Sequence, residues 1–284
     1  MVIIYLLIVL LSVTQSASTK MFNRGSSNSS FFNATKSLSA LLLFAIMAIP
    51  GFTLHLPTVI FGLAYGASLC MSMYAGYKAL CLGPMALSSM LVSFSIVLPL
   101  LWGITFGGET LNSLKCIALA LLFVAIISTN LDKIKCGGQK ETKYGLWLTF
   151  VGITFLCNGV GSILQKQHQT LYPELYSEEF MFFAMLLCSV VFTAIAVIRL
   201  SPSDVKNTKG KYLGLISGLC NGMASFLTLV LAGFENASIL FPIISAGTVL
   251  SALLCGRFVF KEKLKINHYV ALAVGIVAIV FLKM

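Results

Sequence analysis

The chain has 284 residues, of which 58% are hydrophobic and only 10% are charged, and its mean hydropathy is +0.96. A soluble domain carries roughly 25% charged residues, so this composition excludes a protein whose whole surface faces water. The formal net charge of +10 does not indicate nucleic-acid binding, because the basic residues form short clusters between apolar runs, as in the loops of integral membrane proteins.

Long apolar runs recur along the entire chain. A run of about 17–25 residues can cross ~30 Å of hydrocarbon as a helix, whereas an open sheet would leave backbone groups unpaired in lipid. The first run has no basic residue before it, which argues against a signal peptide. The second run is the weakest, since Asn33 and Lys36 lie in its first turn. The sequence predicts ten transmembrane helices, at 2–19, 32–49, 58–80, 85–106, 112–130, 145–165, 178–199, 210–232, 236–258 and 266–283.

The two halves of the chain resemble each other. Aligning WGITFGGETLNSLKCIALALLFVAII with CGRFVFKEKLKINHYVALAVGIVAIVFL places Glu109 on Glu262 and matches several apolar positions beyond them. With nearly the same offset, GLAYGASL from Gly62 matches GLISGLCN from Gly214. We therefore predict an all-α integral membrane protein built from two five-helix repeats, 1–143 and 144–284.

Five helices per repeat is an odd number, so the second repeat enters the membrane inverted. The loop at 106–113 has no Lys or Arg, whereas its counterpart at 257–265 has Arg257, Lys261, Lys263 and Lys265. Odd-numbered loops and their flanking helix ends carry sixteen of the nineteen basic residues. Because basic residues collect on the cytoplasmic side, both termini are predicted to be extracytoplasmic.

Three short motifs add a family resemblance: ALCLGPMALSS at 79–89, FGGETL at 106–111 and FKEKLKINHYVALAVGIVAIV at 260–280. Together with the ten helices in two inverted repeats, they resemble the drug/metabolite transporter superfamily and, within it, the ten-helix EamA-type transporters. The resemblance implies secondary transport of small metabolites, often outward, with the substrate held centrally between the two halves. The orientation commonly described for the family places both termini in the cytoplasm, opposite to the prediction from the charges.

The sequence shows no recognisable arrangement of catalytic residues. The histidines His55, His168 and His268 lie at predicted helix ends and form no ligand cluster, and the eight cysteines show no C-x-x-C spacing, so we expect no metal, cofactor or disulfide framework. None of the nine acidic residues falls in the middle of a predicted helix. Glu109 precedes a helix, where the helix dipole stabilises an acid by roughly 0.3–1 kcal/mol. We therefore predict a structural role for Glu109.

Polar residues in the middle of apolar helices are the candidate binding residues. An unpaired amide in hydrocarbon costs several kcal/mol, so such side chains should face the interior of the bundle or a wet cavity. The alternative role is hydrogen bonding between helices, worth roughly 0.6 kcal/mol on average. The candidates are Gln15, Tyr65, Ser68, Ser72, Ser89, Ser93, Asn158, Asn221, Ser225, Ser245 and Thr248.

Other residues have predicted mechanical or electrostatic roles. Small residues repeated every four positions allow close helix packing, or a sliding surface; these are Gly62, Gly66, Gly214, Gly218 and Gly222. Pro99 and Pro242 remove backbone donors inside helices and are candidate hinges. Lys78 lies at a helix end, where it either snorkels to the interface or contacts an anionic substrate.

These patterns predict a transporter in a bacterial inner or cell membrane, an exporter or facilitator of a small organic metabolite such as an amino acid. Its partners would be the solute and the lipid bilayer, with no nucleic acid, and it would be a monomer or a homodimer. Two alternatives remain open. One is an antiporter of phosphometabolites or nucleotide sugars that uses basic residues, and the other is a non-transporting membrane subunit or receptor.

Overall fold

The computed structural model describes residues 2–25, 29–82, 88, 91–109, 113–135, 144–198, 208–258 and 266–283. Within these ranges the structure is helical and contains no strand, so the predicted all-α class is confirmed. Short 3-10 turns occupy Ile49–Gly51 and Phe94–Ile96. The α-helices are α1 (Val2–Gly25), α2 (Ser29–Ala48), α3 (Leu56–Leu82), α4 (Val97–Thr105), α5 (Ser113–Lys135), α6 (Tyr144–Leu171), α7 (Ser177–Ile198), α8 (Thr208–Phe234), α9 (Ala237–Phe258) and α10 (Ile266–Lys283).

Six segments of these helices are long and apolar enough to cross a bilayer, which makes the chain an integral membrane protein. Shorter apolar helical segments occupy Leu91–Thr105, Ser113–Ala125 and Ala237–Ser251. Ten membrane crossings and the inversion of the repeats therefore remain predictions. The six long spans are Val2–Thr19, Ser30–Gly51, Leu56–Ala79, Gly145–Leu171, Ser177–Ile198 and Gly210–Phe234.

The chain forms two compact units, and each unit contains parts of both predicted repeats. Unit 1 comprises 1–70 and 164–234, and unit 2 comprises 71–163 and 235–284. A sequence repeat is a unit of duplication, whereas a compact unit is defined by contacts, so the two divisions need not coincide. The predicted boundary at 143/144 falls where the described residues resume, at Tyr144, the first residue of α6.

In unit 1, α2 packs against α7 and α8, and α1 packs against α8. The core contains the fully buried side chains of Phe44, Phe180, Met181 and Leu229. Burying side chains of this size removes apolar surface from water or lipid headgroups and gives each one many dispersion contacts. This core fixes the helices that carry the polar residues described below.

In unit 2, α10 packs against α5 and α9, and α9 also packs against α4. A small cluster is built from Ala79, Trp147 and Val151. The indole Nε1 of Trp147 donates to the Ser88 hydroxyl at 2.8 Å, which satisfies a donor that is otherwise enclosed by apolar atoms.

The start of α2 differs from the prediction, and the difference affects the count of basic residues in the loops. Helix α2 begins at Ser29, so Lys36 lies about two turns inside the helix and within the apolar span, instead of in the first turn. The polar residues Ser29 and Ser30 extend the helix because only its later turns need to be in hydrocarbon. Lys36 is therefore not a loop residue and does not bear on the orientation.

Candidate functional site

Three helices of unit 1 bring polar side chains together in the apolar interior. The Gln165 side chain on α6 donates from Nε2 to the Tyr65 hydroxyl on α3 at 3.1 Å and to the backbone carbonyl of Ser225 on α8 at 3.3 Å. Gln165 is 4% exposed and Tyr65 is 5% exposed. We call Tyr65, Gln165 and Ser225 the polar triad. Tyr65 stacks on Phe180, with ring centroids 5.3 Å apart, so one side of the triad is apolar.

The triad lies deep in the membrane-spanning segments. Tyr65 is nine residues from Leu56, and at about 1.5 Å of rise per residue this separation is roughly 14 Å, close to half of the hydrocarbon thickness. Ser225 is likewise nine residues from Phe234, where α8 ends. Two predicted residues, Tyr65 and Ser225, are thus brought together by Gln165, which was not predicted.

Nearer the end of α6, two histidines are joined through a single hydroxyl. Thr58 Oγ1 is 3.0 Å from His55 Nδ1 and 3.1 Å from His168 Nε2. His168 and Thr58 are fully buried, whereas His55 is only partly buried. His168 Nδ1 in turn lies 3.4 Å from Gln169 Nε2, which donates to the Ser177 hydroxyl at 2.8 Å. We call His55, Thr58, His168 and Gln169 the histidine chain.

The short connection from α6 to α7 holds aromatic rings around His55. The Tyr176 ring stacks on the imidazole, with centroids 4.6 Å apart and an interplanar angle of 9°, and Tyr172 meets it edge-on at 4.7 Å. Tyr176 has a φ of 55° and Glu174 a φ of 59°, the left-handed region that side-chain-bearing residues rarely adopt. Such conformations cost of order 1–3 kcal/mol each and persist only where surrounding contacts impose them.

Two charged residues of unit 1 are held by backbone and hydroxyl groups. Glu179, in the first turn of α7, is 5% exposed, and its Oε1 accepts from the backbone N–H and the hydroxyl of Thr53 at 3.1 and 3.3 Å. Lys166 donates from Nζ to the carbonyl of Ala232 at 2.9 Å. Among the described residues, neither charge is hydrogen-bonded to the polar triad.

The other predicted binding residues of unit 1 are less closely involved. Ser68 donates to the carbonyl of Ala64 in its own helix. Gln15 and Asn221 are partly buried on α1 and α8, and among the described residues no hydrogen bond joins either side chain to the triad.

The predicted residues of unit 2 form one pair between helices. Ser72 donates to Asn158 Oδ1 at 2.5 Å, a bond between α3 and α6. Thr248 donates to the carbonyl of Ile244 in its own helix, and Ser245 is partly buried on α9. Ser93 precedes the 3-10 turn at Phe94–Ile96. Ser89 lies outside the described residues.

The predicted anion contact and hinges also belong to unit 2. Lys78 is partly buried, and its Nζ lies 5.9 Å from the centre of the Tyr74 ring, within the range of a cation–π contact. Pro242 is inside α9, and Pro99 lies in the first turn of α4, directly after the 3-10 turn. Pro99 thus lies inside the apolar helical segment Leu91–Thr105, close to the point where the 3-10 turn gives way to the α-helix.

The predicted small-residue positions lie at close helix contacts in unit 1. A Cβ at Gly66 would come within 2.6 Å of the Ala184 carbonyl oxygen, and one at Gly62 within 2.7 Å of that of Phe180, both on α7. Gly214, Gly218 and Gly222 lie against α2 in the same way, with Gly218 facing Ser39 and the Lys36 carbonyl. At Gly62, Gly66 and Gly218 the limiting atom is a backbone carbonyl oxygen, so only glycine permits these three approaches.

Glu109 is structural in a way that the sequence did not indicate. Its carboxylate accepts from the backbone N–H groups of Ala237 and Ser238 at 2.7 and 2.9 Å, and these are the first residues of α9. The expectation that Glu109 stabilises the helix following it in sequence is therefore wrong. Gly108, with a φ of 63°, turns the chain so that the carboxylate reaches α9. Glu262, its repeat counterpart, lies outside the described residues.

Gln165, Thr58 and His168 were not among the predicted site residues. Helix six was predicted to end at 165, but α6 continues to Leu171, so Gln165 and His168 lie inside it. The spacing of Asn158, Ser162, Gln165 and His168 places them on one helical face, and this polar stripe was the available signal. Among the described residues, no group of three His, Cys, Asp or Glu side chains is arranged to hold a metal ion.

No family model matches the chain, and no curated protein matches it in sequence. Solved structures do match it. One of them, described as the crystal structure of a protein, superposes with a TM-score of 0.80 over 98% of this chain and 94% of its own, at 15% sequence identity. At that identity the similarity shows that the two chains share a fold.

Proposed function

We propose that the protein is a secondary transporter of a small, uncharged or zwitterionic organic solute, such as an amino acid, that works by alternating access in a cell membrane. The observation that carries the proposal is the polar triad, in which an amide, a phenol hydroxyl and a backbone carbonyl from three helices meet inside three of the apolar spans. The resemblance of the motifs to EamA-type transporters agrees with it.

The energetics of the triad favour a binding role over a purely structural one. Hydrogen bonds between membrane helices contribute only about 0.6 kcal/mol on average. An apolar side chain would join the helices without the cost of about 1–3 kcal/mol that a buried amide incurs whenever it loses its partners. A solute can use the same groups, because the amide and the hydroxyl each both donate and accept hydrogen bonds.

Two further hydroxyls are buried inside unit 1. Ser189 on α7 and Ser217 on α8 are 3% and 0% exposed, and neither hydroxyl has a hydrogen-bond partner among the described residues. Buried polar groups are normally satisfied, so a hydroxyl without a partner is available to a solute or a water molecule. In this conformation the triad is enclosed, and a solute would enter it after a conformational change.

The experiment is uptake into liposomes containing the purified protein, screened against amino acids, nucleosides, vitamins, organic cations and phosphorylated metabolites. For the transported solute, Gln165→Leu should raise KM at least about tenfold, which corresponds to about 1.4 kcal/mol. Ser68→Ala is the matched control on α3, because the Ser68 hydroxyl bonds only its own helix. Its KM should stay within about twofold of wild type.

Three results would overturn the proposal. The first is absence of flux for every solute under any gradient, which would favour a membrane subunit or receptor. The second is flux that Gln165→Leu leaves unchanged. The third is exchange restricted to phosphorylated solutes and abolished by Lys78→Ala, which would establish the phosphometabolite antiporter.

A further inference from the structure

The donor and the acceptor of each hydrogen bond in the histidine chain can be assigned by starting from Gln169. The backbone N–H of Glu174 donates to Gln169 at 3.3 Å, and since a backbone N–H can only donate, the atom that it meets is the amide oxygen. The other amide atom, Nε2, is therefore a donor to Ser177 and to His168 Nδ1. It follows that His168 Nδ1 accepts and carries no proton.

The direction of the next two hydrogen bonds, from His168 to Thr58 and from Thr58 to His55, follows in the same way. A neutral His168 with no proton on Nδ1 carries it on Nε2, and so donates to Thr58 Oγ1. The proton of the Thr58 hydroxyl is then free to donate to His55 Nδ1. His55 Nδ1 is consequently an unprotonated acceptor at the partly exposed end of a chain of aligned hydrogen bonds.

We propose that Nδ1 of His55 is a proton-binding site that couples the transporter to protons, with Thr58 and His168 transmitting its state to the start of α7. This inference rests on the proposed function. Histidine is the side chain that ordinarily gains and loses a proton near neutral pH. His55 is placed to exchange protons with water because it precedes α3 and is partly exposed, whereas His168 is fully enclosed.

A proton on His55 Nδ1 reverses the direction of the His55–Thr58 bond and so disturbs the rest of the chain. With Nδ1 protonated, His55 becomes the donor, and the Thr58 hydroxyl proton needs another acceptor. His168 Nε2 can accept it only if the His168 proton moves to Nδ1, where it opposes the Gln169 amide donor. Either the Thr58 hydroxyl proton loses its acceptor or the His168–Gln169 bond is lost, and Gln169 is bonded to Ser177, the first residue of α7.

Two tyrosine rings enclose the His55 imidazole. The stacked Tyr176 ring and the edge of Tyr172 enclose the imidazole, and a protonated ring stacked on an aromatic face gains a cation–π attraction. The Glu179 carboxylate is bonded to Thr53, two residues before His55. The left-handed backbone of Tyr176 holds its ring in this position. Residues 166–179 pack against His55, and the titratable groups within them are Lys166, His168, Tyr172, Glu174, Tyr176, Glu178 and Glu179.

The direct test is imidazole ¹⁵N NMR of the protein in nanodiscs across the neutral pH range, with assignments from His→Gln variants. At high pH, Nδ1 of both His55 and His168 should be unprotonated. As His55 gains its proton, the ¹⁵N signals of His168 should shift over the same pH interval. Thr58→Val should abolish this coupled shift, whereas Thr58→Ser, which keeps the hydroxyl, should retain it. Protonated Nδ1 on His55 throughout, or unchanged His168 signals, would overturn the proposal.

A transport assay separates this inference from the proposed function. His55→Gln should reduce accumulation driven by a pH gradient at least tenfold while leaving solute exchange at equal pH within about twofold of wild type, and His268→Gln is the control. Wild-type behaviour of His55→Gln under a pH gradient would refute proton coupling through His55. Absence of all exchange in the wild type would instead overturn the proposed function, and the NMR titration would still decide whether His55 binds the proton as inferred.

Discussion

Removing the Glu109 carboxylate should destabilise the protein by disconnecting the start of α9. The carboxylate accepts two backbone N–H groups at 2.7 and 2.9 Å, both from the first turn of that helix. Loss of a helix N-cap typically costs about 0.5–2 kcal/mol. A charged acceptor bonded to two donors at these short distances belongs at the upper end of that range, so we expect Glu109→Ala to lower the unfolding free energy by about 2 kcal/mol.

Gly103 allows a double-mutant cycle on the same contact. A Cβ at Gly103 would lie 2.9 Å from the Glu109 Cδ and Oε2 atoms, so Gly103→Ala must displace the carboxylate. Alone, Gly103→Ala should cost about as much as Glu109→Ala. Once Glu109 is already alanine, the added methyl should cost almost nothing, because alanine is favoured over glycine in a helix by about 1 kcal/mol. The coupling free energy should therefore exceed about 1 kcal/mol.

The assay is reversible unfolding in detergent or nanodiscs, followed by circular dichroism, for wild type, the two single variants and the double variant. A loss of 2 kcal/mol should lower Tm by about 5 °C. The control is Glu174→Gln, because that side chain is exposed, and it should leave Tm unchanged. Additive effects of Gly103→Ala and Glu109→Ala would refute the capping role. A folded Glu109→Gln protein without transport would show that Glu109 has a functional role instead.

Two further predictions test packing. Gly218→Ala should destabilise the protein by more than about 2 kcal/mol, because the new methyl would overlap Ser39 and the Lys36 carbonyl oxygen. Gly152→Ala is the control, since the space around Gly152 is open, and it should be neutral or stabilising. Equal Tm values for the two variants would contradict the close α2–α8 contact. The Trp102→Phe variant leaves Trp147, which is 2% exposed, as the remaining tryptophan. Its fluorescence should be little quenched by acrylamide in the water or by brominated lipids in the bilayer. Strong quenching by either would show that Trp147 is not in a protein core.

Features of the fold that depend on long stretches of sequence were predicted better than features that depend on a few residues. Apolar runs indicate helices because hydropathy is summed over a whole span, so even the ends at Phe234 and Phe258 lie within two residues of the prediction. The end of α6 was missed by six residues because Lys166, His168 and Gln169 look like loop composition. Their buried positions depend on partners such as Thr58 and Ala232, which are more than sixty residues away in sequence.

The candidate site was predicted only in part for the same reason. Mid-helix position identified Tyr65 and Ser225, since a polar residue in an apolar run needs a partner wherever it faces. To identify the partner, one must know how each helix is rotated about its axis and which helix lies next to it. Neither can be read from the residues around one position. Glu109 shows this most clearly: its position at a helix start was visible, but the helix that it caps begins 128 residues later.

That separation also has a consequence for biosynthesis. Glu109 is made and inserted long before Ala237 leaves the ribosome, so its carboxylate has no α9 backbone to bond while more than a hundred further residues are added. Until then, water or the lipid headgroups must solvate the carboxylate, which keeps the α4–α5 turn close to the membrane surface. Formation of the two bonds to α9 therefore marks a late step of assembly, and a chain truncated before residue 237 would leave this acid unpaired.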